Sequence, residues 1–271
     1  KNGKMVCQSG APPCDFQANG QLWETPVYNW SVHKESNFKW WKQRYNKLFQ
    51  MVDLIRLDHF IGYSKYFKIP IGSSAHSGVW EKGPGANLFN ELLASIKNFN
   101  VIVEDLGDVT DDVVELRDFF DFPGMKVFQF EIKKIPFDFD VEVNSLFCTG
   151  THDNDTIIGW FKSLPKNMDT QEVLTRSKIL NHFNSDIENI HWEMINYVLK
   201  SQSNTVIFPL QDIMGENSDA RFNTPGTLSN NNWSWKLKKN QLIQIDNFKL
   251  LELTTLSNRN NLTTKRTILK D

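Results

Sequence analysis

The sequence predicts an α/β fold in which parallel strands alternate with helices, of the kind that closes into a (β/α)8 TIM barrel. Two observations lead there. Apolar runs of strand length alternate with stretches of helical period from Lys39 onward. Three runs end in an acidic phrase: Arg56-Leu57-Asp58-His59-Phe60, Val103-Glu104-Asp105-Leu106-Gly107 and Thr151-His152-Asp153-Asn154. Each phrase puts a carboxylate where a strand meets a loop, the edge at which α/β barrels collect catalytic groups.

Residues 1–37 hold Gly10-Ala11-Pro12-Pro13, Asn19-Gly20 and Thr25-Pro26 with no sustained period, and read as a loop-rich segment at the barrel mouth. Residues 40–49 repeat as a helix and 51–57 as an apolar strand. Residues 88–99 show an apolar face at three-and-four spacing and lead into the strand Val101-Ile102-Val103. Thr110, Asp111 and Asp112 open a helix that runs to about Phe119, with the acids at its positive end. Strands follow at 125–130 and 144–148. A helical stretch at 170–200, broken near Asn184, leads to the strand 205–209.

Five strands therefore fall within 38–236, the catalytic barrel, and 237–271 reads as a C-terminal helical segment. A closed barrel takes eight strands. The other three do not fit into the first 37 residues, because one βαβ unit takes roughly 30. Lys1 rather than Met stands first. The expectation is an incomplete barrel, completed by a preceding N-terminal part of the same protein.

Composition excludes several classes of function. The 271 residues are 40% hydrophobic with a net charge of −2, and they hold no long run of Lys or Arg to release counterions from a nucleic acid. No apolar stretch approaches about 18 residues, so no membrane helix is expected, and no signal peptide is recognisable. Cys7, Cys14 and Cys148 are odd in number and match no metal spacing. They suit reduced thiols in a cytoplasmic protein; separately, no metal or cofactor is expected.

Residues two apart on a strand point the same way, so Arg56 and Asp58 project together and the guanidinium holds the carboxylate ionised. An ionised, fixed carboxylate suits a nucleophile. Glu104 emerges from the next strand; if desolvation and a neighbouring Asp58 raise its pKa, it can stay protonated and act as general acid. Asp153 arrives from a third strand end beside His152. Two such carboxylates with a third nearby form a glycoside-cleaving site that retains configuration. Each phrase alone has a second reading, as a helix cap or a surface ion pair; three at strand ends of one barrel favour the site.

The phrases resemble those of the 4-α-glucanotransferases, the amylomaltase or disproportionating-enzyme family of the α-amylase clan. The match runs from Gly10 to about Lys236 through Gly10-Ala11-Pro12-Pro13, Gly20-Gln21-Leu22-Trp23, the three acidic phrases, Pro123-Gly124-Met125-Lys126-Val127 and Ala220-Arg221-Phe222-Asn223-Thr224-Pro225-Gly226. The resemblance implies that Asp58 is the nucleophile, Glu104 the acid/base and Asp153 the transition-state stabiliser. It further implies that Arg56 orients Asp58, that His152 binds hydroxyls of the transferred sugar, and that the five strands are the fourth to eighth. The implied partners are a maltooligosaccharide or starch- or glycogen-type donor and a glucan or glucose acceptor. Four positions depart from the family pattern: Cys14 for an Asp, Glu24 for a Gly, Ile61 for an Arg and Lys236 for an Arg.

Trp23 matches a family position from which an aromatic ring stacks on a sugar face. Tyr28, Trp233 and Trp235 either do the same or pack the core and fix loops. Gln21 and Asn154 either bond sugar hydroxyls or satisfy loop backbone, and His59 either faces the adjoining subsite or serves structure. The expected activity is transfer of α-1,4-glucan segments between maltooligosaccharides; the alternatives are an amylase-like hydrolase and, for the isolated chain, a non-catalytic fragment with exposed sheet edges.

Overall fold

The computed structural model describes residues 4–13, 18–107, 109–132, 135, 137, 140–167, 173–241 and 245–260. Cys14, the start of the helix expected from residue 170 and the last eleven residues of the expected C-terminal helical segment lie outside them. The chain divides into two units, Lys1–Met125 and Lys126–Asp271.

The first unit contains a four-stranded antiparallel sheet made of β1 (Cys7–Ala11), β2 (Gln21–Pro26), β4 (Lys65–Pro70) and β5 (Val79–Lys82), in the order β2-β1-β4-β5. Two of these strands occupy the segment expected to be loop. The reason is legible in the burial: β1 turns Gln8 and Gly10 inward instead of apolar side chains. A Cβ at Gly10 would sit 2.1 Å from the Gln21 carbonyl oxygen, so glycine lets the two strands approach. The register slips between Gln8 and Gly10, opposite residues 23–25 of β2. There Glu24 takes a φ of 55°, the left-handed region, and its N–H donates to Gln8 Oε1 at 3.2 Å.

The short helices α1 (Trp30–Glu35) and α2 (Lys39–Phe49) lead into β3 (Ile55–Leu57). The strand is shorter than the apolar run 51–57 suggested, because Met51, Val52 and Leu54 are exposed. After α3 (Ile61–Ser64), α4 (Ala86–Ser95) buries Leu88, Phe89 and Leu92 as its periodicity predicts. It leads to β6 (Val101–Val103), whose three residues are all buried. β3 and β6 pair in parallel, Ile55 opposite Val101, Arg56 opposite Ile102 and Leu57 opposite Val103. Phe60, Phe89, Leu88, Leu92 and Val113 pack beneath them.

The next helix, α5 (Asp111–Phe119), carries Asp111 and Asp112 in its first turn as expected, and buries Val113 and Arg117. Arg117 reaches Asp105, one residue past Glu104, with both side chains buried and 2.8 Å between charges. The other Asp105 oxygen accepts the Met125 N–H at 2.7 Å, and Val103 N–H donates to Pro123 O at 2.8 Å. A Cβ on Gly124 would lie 2.6 Å from Asp105 Oδ2, which accounts for the glycine in Pro123-Gly124-Met125.

The strand β7 (Gly124–Val127) carries the chain into the second unit. The apolar run continues past it, but as the helical turn α6 (Phe128–Glu131), not strand. There β8 (Ser145–Cys148) lies between β7 and β9 (Thr205–Ile207), and β8 and β9 are parallel with Cys148 opposite Ile207. The helices are α7 (Ile157–Ser163), α8 (Arg176–Phe183), α9 (Ile190–Lys200), α10 (Leu210–Ile213) and α11 (Asn247–Leu256). α8 stops at Asn184, whose φ of 49° forms a left-handed cap, the break the sequence places there. Phe128, Phe147, Ile157, Phe161, Ile190 and Met194 form the core. Among the described residues no helix is long and apolar enough to cross a membrane.

The α/β class expected from the sequence is present in these two parallel pairs. Removing the Arg117 charge should show how much the first unit relies on it. Arg117→Met leaves the Asp105 carboxylate buried without its cation, and chemical denaturation should register a loss of about 3–5 kcal/mol.

Candidate active site

In the first unit the β3–β6 register sets two carboxylates side by side. Asp58 follows β3 and Glu104 follows β6. The Glu104 N–H donates to Leu57 O and the Phe60 N–H to Glu104 O, each at 2.9 Å, so the two strand ends are stitched beyond the sheet. His59, between them, has a φ of 49°. This turn aims its N–H at Glu104 Oε2, 2.7 Å away. Arg56 donates from Nη1 to Asp58 Oδ1, the pairing expected of residues two apart on a strand. Its Nε–H also meets Met125 Sδ at 3.4 Å.

Burial pushes the Glu104 carboxyl up to about 7. The His59 N–H and the Arg56 charge pull the other way, and Asp58 adds to the rise. Glu104 is thus able to hold a proton near neutral pH, as a proton donor must. Burial lowers the His59 imidazole pKa, against the Asp58 charge. The His59 ring packs edge-on to Trp23, 4.9 Å between centroids, and Trp23 Nε1–H donates to Gln21 Oε1 at 2.8 Å. Six residues singled out in the sequence therefore cluster here: Gln21, Trp23, Arg56, Asp58, His59 and Glu104.

In the second unit β8 runs into the loop that carries His152, Asp153 and Asn154. His152 Nε2 lies 3.5 Å from Asp153 Oδ2. Asn154 is buried, and its Oδ1 accepts from the Thr151 N–H at 2.9 Å and the Thr151 hydroxyl at 2.8 Å. Of its two readings, these contacts match the loop-fixing one. The loop is clamped at both ends by the buried Asp212, which accepts from the Thr149 hydroxyl and from the Ile157 N–H. Burial pushes the Asp212 carboxyl up to about 6.

Two contacts to Asp153 escaped the sequence reading. Asn223 Nδ2–H donates to Asp153 Oδ1 at 2.7 Å, and Arg221 Nη2–H to the Asp153 carbonyl at 2.7 Å. Their only sequence signal is the phrase Ala220 to Gly226, which by itself names no partner. A cavity of about 300 Å³ opens beside the loop, lined by His152, Asp155, Phe208, Asp212, Arg221 and Phe222 among others.

Comparison with known proteins gives a consistent result. A sequence model of the family described as 4-alpha-glucanotransferase matches residues 2–242. The 4-alpha-glucanotransferase of Streptococcus pneumoniae serotype 4 is 39% identical over 266 residues, covering 96% of this chain and 51% of that protein. The Synechocystis enzyme of the same name is 39% identical over 251 residues, covering 89% of this chain and 48% of its own length. An amylomaltase from Streptococcus agalactiae, solved in complex with acarbose, superposes with a TM-score of 0.86 at 32% identity, covering 94% of this chain and 51% of that one. The chain spans about half the length of the relatives it matches.

The electrostatic reading of Glu104 is open to direct measurement. Carbon NMR of labelled glutamate should show its carboxyl titrating near 7. Asp58→Asn should lower that midpoint and Arg56→Met should raise it. A midpoint in the ordinary carboxylate range, about 4.3, would contradict the burial argument. Because the folded value exceeds the unfolded one, Glu104 favours folding most in acid. That contribution is lost as pH rises through 7, and Glu104→Gln should abolish this part of the pH dependence.

Proposed function

Because the chain belongs to the 4-alpha-glucanotransferase family, we propose that it carries the reacting groups of an enzyme transferring α-1,4-glucan segments between maltooligosaccharides. The observation that carries this is the Asp58–Glu104 arrangement: an arginine-held carboxylate beside a half-buried one whose pKa is raised to about 7. Asp58 attacks the anomeric carbon while Glu104 gives its proton to the departing glycosidic oxygen. A covalent glucosyl–Asp58 ester results. Glu104, now ionised, takes the proton of the acceptor hydroxyl as that oxygen displaces Asp58, so two inversions give net retention. Asp153 offsets the positive charge that develops on the sugar, with Asn223 holding its carboxylate. His152 bonds hydroxyls of the transferred sugar.

We assign the donor to a maltooligosaccharide or a starch- or glycogen-type glucan, and the acceptor to a glucan or glucose. The acarbose bound to the Streptococcus agalactiae amylomaltase supports an oligosaccharide cleft in this family. We place the strands of the two parallel pairs among the fourth to eighth of a (β/α)8 barrel, with residues 1–37 at its mouth, 237–271 as a C-terminal segment and the other strands supplied elsewhere in the full-length protein. A cytoplasmic location suits Cys7 and Cys148 as reduced thiols outside any disulfide.

Incubating the full-length protein with maltotriose tests the reading. Transfer yields a ladder of longer oligosaccharides; glucose and maltose alone would identify a hydrolase. Asp58→Ala and Glu104→Ala should each lower turnover about a thousandfold or more, and substantial residual transfer in either would overturn the assigned roles.

A further inference from the structure

Trp233 takes no part in the chemistry described above, yet it is held in an unfavourable way. Its φ is 58°, a region that bulky side chains avoid, and the residue remains 60% exposed. Burial therefore does not compensate the strain. The surrounding loop enforces it: Trp233 N–H donates to Phe222 O at 2.8 Å, Thr224 N–H to Asn232 Oδ1 at 3.2 Å, and Asn232 Nδ2–H to Thr227 O at 3.1 Å. The indole stands perpendicular to Phe222, 5.0 Å between centroids, and inclined by 37° to His152 at 5.3 Å. The same segment holds Asp153 through Arg221 and Asn223. One stretch of chain thus presents a fixed, solvent-facing aromatic surface beside the His152–Asp153 pair.

Strained residues that the structure over-determines cluster at ligand sites. A rigid, exposed indole flanked by hydrogen-bonding groups fits a ligand with one apolar face and polar edges, as a pyranose ring has. We infer that Trp233 is a stacking platform for a glucose unit of the glucan, next to the unit held at His152 and Asp153. The assignment of that ligand rests on the transferase reading. Loss of the platform weakens glucan binding without weakening the fold, because glycine adopts this backbone without strain.

Binding of maltopentaose, measured by calorimetry in a Glu104→Gln background that prevents turnover, combined with thermal unfolding, decides the matter. Adding Trp233→Gly should leave the unfolding temperature equal or higher and raise Kd about tenfold, the scale of one lost stacking contact. Adding Trp233→Phe should keep Kd within about threefold. An unchanged Kd in Trp233→Gly overturns the inference. So does a weaker Kd in Trp233→Gly that comes with a lowered unfolding temperature, or a Trp233→Phe protein as weak as the glycine variant. If the wild type forms no ladder from maltotriose while the Glu104→Gln protein binds maltopentaose, the transferase reading fails and the stacking inference is still decided by these variants. Absence of any maltopentaose binding sinks both.

Discussion

Leu57 lies opposite Val103 in a parallel pair, and every contact of the first carboxylate cluster follows from that register. A slip of one residue would send Asp58 and Glu104 to opposite faces. The backbone exchange between residues 57–60 and 104 extends the pairing past the last strand residue, where ladders ordinarily fray. His59 then supplies an N–H that reaches the Glu104 carboxylate. The Asp105–Arg117 pair fixes the same strand end from behind, so Glu104 sits between a hydrogen-bonded turn and a buried ion pair. Little freedom is left for its side chain to escape into water, which is why burial outweighs the N–H and the guanidinium in setting its proton affinity.

The parts of this fold that were legible in the sequence are those whose apolar pattern matches their burial. Val101-Ile102-Val103 is buried at every position and reads as a strand; Leu88, Phe89 and Leu92 share a helix face and read as one. The antiparallel sheet escaped notice for the opposite reason. β1 buries Gln8 and Gly10, and β5 leaves Val79 and Trp80 in solvent, so neither alternates in the expected sense. β4 did carry a usable signal, with Phe67 and Ile69 inward on either side of Lys68. Met51, Val52 and Leu54 mislead the other way, being apolar and exposed.

Within the site, what could be read was local. Arg56 and Asp58 share a strand face, and their pairing follows from a two-residue period. The contacts to Asp153 come from Arg221 and Asn223, 68 and 70 residues later, and no periodicity links such positions. Asp212 is harder still: an aspartate in a short helix gives no hint that its carboxylate accepts from both ends of the loop bearing His152. Polar residues that organise other polar residues are chosen by geometry across the fold, so their roles appear only once the chain is folded.

Glu24 leaves a different kind of record. The bulge in β2 demands a left-handed backbone, and the resembling family commonly places glycine there, whereas this chain holds the same turn with a glutamate at φ 55°. The hydrogen bond that fixes the turn uses the Glu24 backbone N–H, so the side chain contributes nothing to it. Glutamate and glycine codons differ by one nucleotide. Position 24 is therefore a reserve for the lineage: one mutational step recovers on the order of 1 kcal/mol. Such a margin would let the protein tolerate a destabilising change elsewhere.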